Sequence, residues 1–262
     1  MDLMPIWMTY LIGFCSGLII GSFLNVVIIR LPQHQSLIRP GSSCPQCRKK
    51  ICWWDNVPLL SYAFLGGRCR FCKKKISFRY PMIEFLTGLV FLAAFVHSGW
   101  SPILVLRDWP FLAILIAVTF IDIEHRIIPD ELSLGGLIFG LLTGWTHPEL
   151  GWIRSILGAS LGFSFFYGVA WLYYQWRGHS GLGGGDIKLL AMLGAFLGPE
   201  GVFVTVLVSS VFGSVVGLAW GMAMGRKNMM KLSLPYGPFL ATGGLFYYFF
   251  GDSLWLQFMT PM

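Results

Sequence analysis

Charge is scarce in this chain: of 262 residues only 12% are Asp, Glu, Lys or Arg, whereas 55% are hydrophobic. Such a composition excludes an ordinary soluble domain, because too little polar surface exists to cover one. Histidine is scarce as well, with five residues, His34, His97, His125, His147 and His179, all in or near polar breaks. Their placement leaves no intramembrane imidazole to serve as a general base. It therefore disposes of the G-x-S-x-G pattern at Gly158–Gly162, which also needs a strand-turn-helix setting and here lies inside an apolar helix. Acids are fewer than bases, twelve against nineteen, for a net charge of +7. That balance suits anionic lipid and membrane topology, and nothing in it calls for nucleic acid.

What the chain has in abundance is long apolar runs. Eight recur, at about Ile6–Ile29, Ile83–Val96, Phe111–Ile121, Leu132–Trp145, Ile153–Tyr174, Ile187–Leu197, Val202–Met224 and Phe239–Leu256. Most approach the ~20 residues that span ~30 Å of hydrocarbon. The expected fold is an all-α polytopic membrane protein of about eight transmembrane helices. The first run lacks a basic flank and a small-residue cleavage pattern, so it is expected to stay as a membrane helix. Seventeen of the nineteen basic residues fall on one side of such a topology, including Arg126, Arg177, Lys188, Arg226, Lys227 and Lys231; only Arg107 and Arg154 fall on the other. The positive-inside rule puts the basic side in the cytoplasm and both termini outside. Glycines at Gly13, Gly17 and Gly21, at Gly136, Gly140 and Gly144, and at Gly213 and Gly217 follow the four-residue spacing that lets helix backbones approach.

The basic loop after the first run carries two cysteine pairs, Cys44-x2-Cys47 and Cys69-x2-Cys72, separated by 21 residues. Two such turns can present four thiolates to one ion, the arrangement of a structural tetrahedral zinc site. Two disulfides are the alternative, but a cytoplasmic loop lies in a reducing compartment. The role expected for the ion is architectural, since the segment has little room for a core. The expected organisation is a first membrane helix over 1–31, a cytoplasmic four-cysteine domain over 32–81 and a membrane core over 82–262. Cys15 reads as a small apolar residue within the first span, and Cys52 has no second thiol at ligand spacing.

Two acids stand apart from the solvated ones. Asp122 ends the run PFLAILIAVTFID and Asp186 opens DIKLLAMLGAFLG, both at or just inside the cytoplasmic boundary. An Asp at a membrane-helix centre costs ~2.5–3.5 kcal/mol, falling toward the interface, so such residues mark function or a paired site. Asp130, after Pro129 and before an apolar run, is explained as an N-cap. Capping is open to Asp186 too, but Gly183, Gly184 and Gly185 permit an irregular, closely approachable backbone there. If Asp122 and Asp186 meet, they share a proton: one activates water while the other protonates the carbonyl oxygen of a peptide.

The stretch GGGDIKLLAMLGAFLG resembles the G-x-G-D motif of intramembrane aspartyl proteases, and more closely that of the bacterial type IV prepilin peptidases. DIEHRIIPD is similar to the segment bearing that family's first catalytic aspartate, which corresponds to Asp122 rather than Asp130. GSFLNVVIIRLP, CPQC, CRFC, DNVPLLSY, RYPMIEFLTG and PYGPFLA extend the resemblance over nearly the whole chain. It implies a bifunctional enzyme of the bacterial inner membrane, with Asp122 and Asp186 catalytic. Such an enzyme cleaves the basic leader from type IV prepilins or type II secretion pseudopilins on the cytoplasmic face. It then N-methylates the new terminus with S-adenosylmethionine. The four-cysteine domain of Cys44, Cys47, Cys69 and Cys72 is the family feature that favours the second activity. No Rossmann-type fingerprint marks the methyl-donor site, because GLGGGD follows an interhelical break rather than a strand, and that site's residues stay unassigned; Glu84 and Asn25, polar groups near the membrane boundary, are expected to pair helix ends, with lining that site as the alternative. Two other classes remain from the residues alone. One is a transporter relaying protons or cations through the two aspartates. The other is a zinc-stabilised scaffold in which the aspartates pair with Arg126 or Lys188.

Overall fold

A computed structural model describes residues 5–98, 101–147, 150–179, 181–224 and 234–259. Ser180, which opens the glycine stretch, and the basic residues Arg226, Lys227 and Lys231 lie outside the described residues. The helices are α1 (Ile6–Arg30), α2 (Leu60–Phe64), α3 (Arg79–His97), α4 (Pro102–His125), α5 (Asp130–Thr143), α6 (Gly151–Arg177), α7 (Gly184–Met224) and α8 (Gly237–Met259). Each of the eight expected apolar runs lies on a helix, and the fold class is all-α. Among the described residues five helices are long and apolar enough to cross a membrane: Trp7–Gln33, Arg79–His97, Pro102–His125, Gly151–Arg177 and Gly184–Ala223. The sixth and seventh runs share α7, whose 41 residues bend at Gly198. There φ is 76° and ψ is −179°, a backbone only glycine adopts cheaply, and the following Pro199 pushes its predecessor out of the helical region. Helix α5, with 14 residues, reaches only about 21 Å, short of the ~30 Å hydrocarbon layer.

The chain divides into two compact units, Met1–Ala117 and Val118–Met262, with the division inside α4. In the first, α1 packs on α3 through the expected glycine row: a Cβ at Gly17 would stand 2.7 Å from the Gly88 Cα, and one at Gly21 would stand 2.8 Å from the Glu84 Cα. The cysteine segment between α1 and α3 has no helix longer than α2 and is held by turns and two isolated bridges, Ser43 with Lys50 and Arg68 with Lys75.

In the second unit α7 is the central element, packed by α5, α6 and α8. Its inner face, including Leu189, Leu190, Met192 and Leu193, is fully buried. Gly158 and Gly162 of α6 lie directly against the α7 backbone at Gly194 and Leu190, and the Ser155 hydroxyl donates to the Ala195 carbonyl at 2.7 Å. The G-x-S-x-G pattern is thus a helix-packing row whose Ser160 is exposed. Gly140 of α5 and Gly144 just after it admit the Phe196 ring and the Ser155 side chain. Gly213 and Gly217 depart from the expectation: among the described residues their nearest neighbours are side chains, at 3.3 Å or more, and no backbone approaches them.

Candidate active site and metal centre

Asp122 lies in the last turn of α4 and is 5% exposed. Its Oδ2 accepts the backbone N–H of Gly237 at 2.8 Å, and Gly237 is the first residue of α8. A helix N-terminus carries unsatisfied N–H groups and partial positive charge, which suits a carboxylate. The contact requires glycine, because a Cβ at 237 would stand 2.8 Å from the same oxygen. Within PYGPFLA the role of Gly237 has one sign in the sequence, a glycine at a helix start between Tyr236 and Pro238.

Asp186 lies in the first turn of α7 and is half-buried. Its carboxylate turns back over the glycine stretch, so that a Cβ at Gly183 would stand 3.0 Å from Oδ2, and the Gly183 backbone is its hydrogen-bonding neighbour. The capping expectation is therefore met in part, since the third helical residue reaches back to the residue before the helix. Capping does not exhaust its surroundings: Asp122 lies near enough to act on Asp186 electrostatically. The two carboxylates, 64 positions apart, share one neighbourhood in the second unit.

Two contacts carry α7 to the segment after α4. Gly185 fits against Ile128, whose Cβ would be 2.9 Å from a Cβ at 185. Lys188 Nζ binds both oxygens of Asp130 at 2.7 and 2.8 Å. This corrects the capping role expected of Asp130. The N-cap of α5 is Pro129, with no side-chain cap, and Asp130 is the first helical residue, with its carboxylate turned to Lys188. Of the two cations that a scaffold would pair with Asp122 and Asp186, Lys188 is bound to Asp130, whereas the charge of Arg126 does act on Asp122.

The four cysteines converge. The Sγ atoms of Cys44, Cys47, Cys69 and Cys72 all lie within 4.8 Å of one another, and those of Cys44 and Cys72 are 3.8 Å apart. Tetrahedral bonds of ~2.3 Å to one ion would separate sulfurs by about 3.8 Å. The two pairs are built alike. The Cys44 N–H donates to Lys49 O and the Arg48 N–H to Cys44 O; likewise the Cys69 N–H donates to Lys74 O and the Lys73 N–H to Cys69 O. Arg48 and Lys73 each turn the chain with φ near +57° (56° and 57°). The N–H groups of Cys72 and then Phe71, aimed at the Cys69 sulfur, lower that thiol to about 6, whereas at Cys72 the Lys74 N–H is outweighed by burial and the neighbouring sulfurs, which push that thiol up to about 11; the cluster favours loss of its first proton from Cys69, and the thiolate is the form that binds metal. Cys15 is exposed and Cys52 half-buried, both outside the cluster. Beside it Arg70 donates to both oxygens of Asp55 at 2.6 and 2.5 Å. The Arg70 hydrogen bond holds the Asp55 carboxyl below its usual range, with the guanidinium charge adding to the effect.

The fold and sites define a polytopic membrane protein in which Asp122 and Asp186 lie within electrostatic reach of each other and four cysteines form a cluster able to hold a metal ion. Residues 15–98 match the family described as Bacterial Peptidase A24 N-terminal domain, and residues 109–218 match the Type IV leader peptidase family. Curated relatives named prepilin leader peptidase/N-methyltransferase are similar over most of the chain. The one from Aeromonas salmonicida is 36% identical over 280 residues, covering 95% of this chain and 93% of the relative. That from Neisseria gonorrhoeae is 37% identical over 267 residues, covering 91% and 90%. That from Myxococcus xanthus is 38% identical over 228 residues, covering 86% of this chain and 66% of the relative. No solved structure matches. The chain belongs to the type IV leader peptidase family.

Proposed function

We propose that the protein cleaves the basic leader from type IV prepilins or type II secretion pseudopilins and then N-methylates the new terminus, with Asp122 and Asp186 as the hydrolytic pair. The observation that carries this reading is the neighbourhood of the two carboxylates, at the end of α4 and the start of α7, within electrostatic reach of each other.

One proton shared between the two acids gives the chemistry its parts. The ionised carboxylate takes a proton from water, which attacks the scissile carbonyl carbon, while the protonated partner gives its proton to the carbonyl oxygen. The C–N bond then breaks as a proton reaches the leaving amine, and no covalent enzyme intermediate forms. Gly237 engages Asp122 Oδ2 and so helps to fix that carboxylate. Both aspartates sit at helix ends rather than mid-helix, which suits a substrate whose basic leader stays in water while its apolar part lies in lipid. The protein is accordingly assigned to the bacterial inner membrane, with the cysteine segment cytoplasmic and the termini periplasmic.

The four thiolates would hold a structural zinc ion that ties the two turns of the cysteine segment together. Methylation draws on S-adenosylmethionine, which supplies the transferred methyl group when bound.

The test is direct. Purified protein in detergent is incubated with a prepilin, and leader loss is followed by mass. Asp122→Asn and Asp186→Asn are each expected to abolish it while leaving the metal content and unfolding temperature of the wild type. Undiminished cleavage by either variant removes that residue from the mechanism.

A further inference from the structure

The first unit holds a cavity of ≈ 620 Å³ for which leader cleavage in the second unit has no use. Its walls come from the end of α1, the start of α3 and the inner face of the cysteine segment. The volume lies within the ~300–1,000 Å³ of small-molecule sites.

Two acceptors in its lining lack the partners their burial demands. Asn25 is 3% exposed, and its Nδ2 donates to the carbonyls of Gly21 and Tyr80 at 3.2 Å each. Those two acceptors fix which end of the amide is nitrogen. The Asn25 Oδ1 is then buried with no hydrogen-bond partner. Glu84 is 9% exposed; its Oε2 accepts the Leu59 N–H at 2.9 Å, and the Ser22 hydroxyl is a second neutral donor. Among the described residues no Lys, Arg or His forms an ion pair with Glu84. A buried acceptor without a donor is costly, and a buried carboxylate without a cation more so. Both deficits are met by a ligand that brings positive charge and N–H donors.

The rest of the lining narrows the ligand. Tyr62, Phe71 and Tyr80 border the same cavity and supply ring surface on which a purine can stack, although Lys49 lies over one face of Phe71 and Arg79 over one face of Tyr80. Arg30, Lys49, Lys74 and Lys75 also line it, so the ligand carries an anionic group as well as a cationic one, as an amino-acid carboxylate does, and its cationic part belongs at the Glu84 and Asn25 end. A cationic end beside acceptors, joined to an aromatic base, describes one molecule that the activity already requires. We propose that this cavity is the S-adenosylmethionine site, with Glu84 and Asn25 as acceptors for the cationic sulfonium and ammonium end. The assignment rests on the methyl-transfer reading above and adds the residues that hold the donor.

Binding to the detergent-purified full chain is measured by equilibrium dialysis with S-adenosylmethionine and with S-adenosylhomocysteine, which lacks the sulfonium charge. Glu84→Gln and Asn25→Leu are each expected to weaken S-adenosylmethionine at least tenfold. The Glu84→Gln loss should be larger for S-adenosylmethionine than for S-adenosylhomocysteine. Ultraviolet cross-linking of radiolabelled S-adenosylmethionine to the wild-type protein should label peptides within residues 22–84, a result independent of whether the variants fold. An adduct confined to residues 118–262, or wild-type affinity in folded Glu84→Gln protein, overturns the assignment and leaves methyl transfer standing. Wild-type protein that cleaves prepilin yet binds no S-adenosylmethionine overturns the methyl-transfer reading itself and this site with it.

Discussion

The cysteine cluster and the aspartate pair are both convergent sets of side chains, but they are assembled in opposite ways. Each cysteine turn closes on itself through hydrogen bonds between residues at most five apart, and the turns at Cys44 and Cys69 repeat the same bonds. The aspartates have no such local scaffold. Asp122 depends on Gly237, 115 positions away, and Asp186 on the approach of Gly185 to Ile128 and of Lys188 to Asp130. A site whose atoms are held by local turns can be stabilised by one ion. A site held by helix ends from distant parts of the chain needs close-packed glycines and ion pairs to bring it together.

The contrast can be broken most forcefully at the acids themselves. Asp122→Asn or Asp186→Asn should lower leader cleavage by about 10²–10⁴-fold or more, the usual weight of acid–base catalysis, measured as initial rates on a purified prepilin. Gly237→Ala comes next: the added Cβ meets Asp122 Oδ2, and a displacement of even ~1 Å at a reacting group costs about 10²-fold. Its rate should fall although no titratable group has been touched; a rate equal to wild type would deny Gly237 a positioning role. On the metal side, one zinc per chain is expected by elemental analysis. Chelation, or Cys44→Ser or Cys69→Ser, should open residues 32–78 to limited proteolysis, because the turns lose their shared ligand. Lys188→Ala should have a smaller consequence, since a partly exposed ion pair contributes about 0.2–1 kcal/mol; a two- to fivefold fall in cleavage rate is expected. The smallest effect belongs to Asp55. Its folded carboxyl is held below the usual range by Arg70, so the pair's contribution is present above the unfolded Asp value of ~3.9 and lost as pH falls through the folded value. Thermal unfolding of wild type and Asp55→Asn should therefore converge in acid and separate slightly toward neutrality.

The legible parts of the molecule are those written at short range. Eight apolar runs became helices because lipid leaves the backbone no other way to satisfy its hydrogen bonds, and the Cys-x2-Cys pairs announced a four-thiolate cluster by spacing alone. The bend at Gly198–Pro199 was visible as a break between two runs. The glycine rows were legible only in part: Gly17 and Gly21 do meet a backbone, whereas Gly213 and Gly217 carry the same spacing against side chains only, Phe239, Tyr236 and Leu234. Asp130 was misjudged for a similar reason. Its position after Pro129 satisfies every local rule for a cap, but Lys188, 58 positions further on, takes its carboxylate.

By itself the sequence determined the solvent, the helices and the four-cysteine cluster, because hydropathy, glycine-proline breaks and ligand spacing act within a turn or a span. It also singled out Asp122 and Asp186 as acids in expensive places. Only the tertiary structure decided that they share a neighbourhood, that the start of α8 supports one of them, and that Asn25 and Glu84 line one cavity, the first with an unpartnered Oδ1 and the second without a cation. Those outcomes depend on which helix packs against which, and a linear pattern records the residues at such a contact without recording the partner across it.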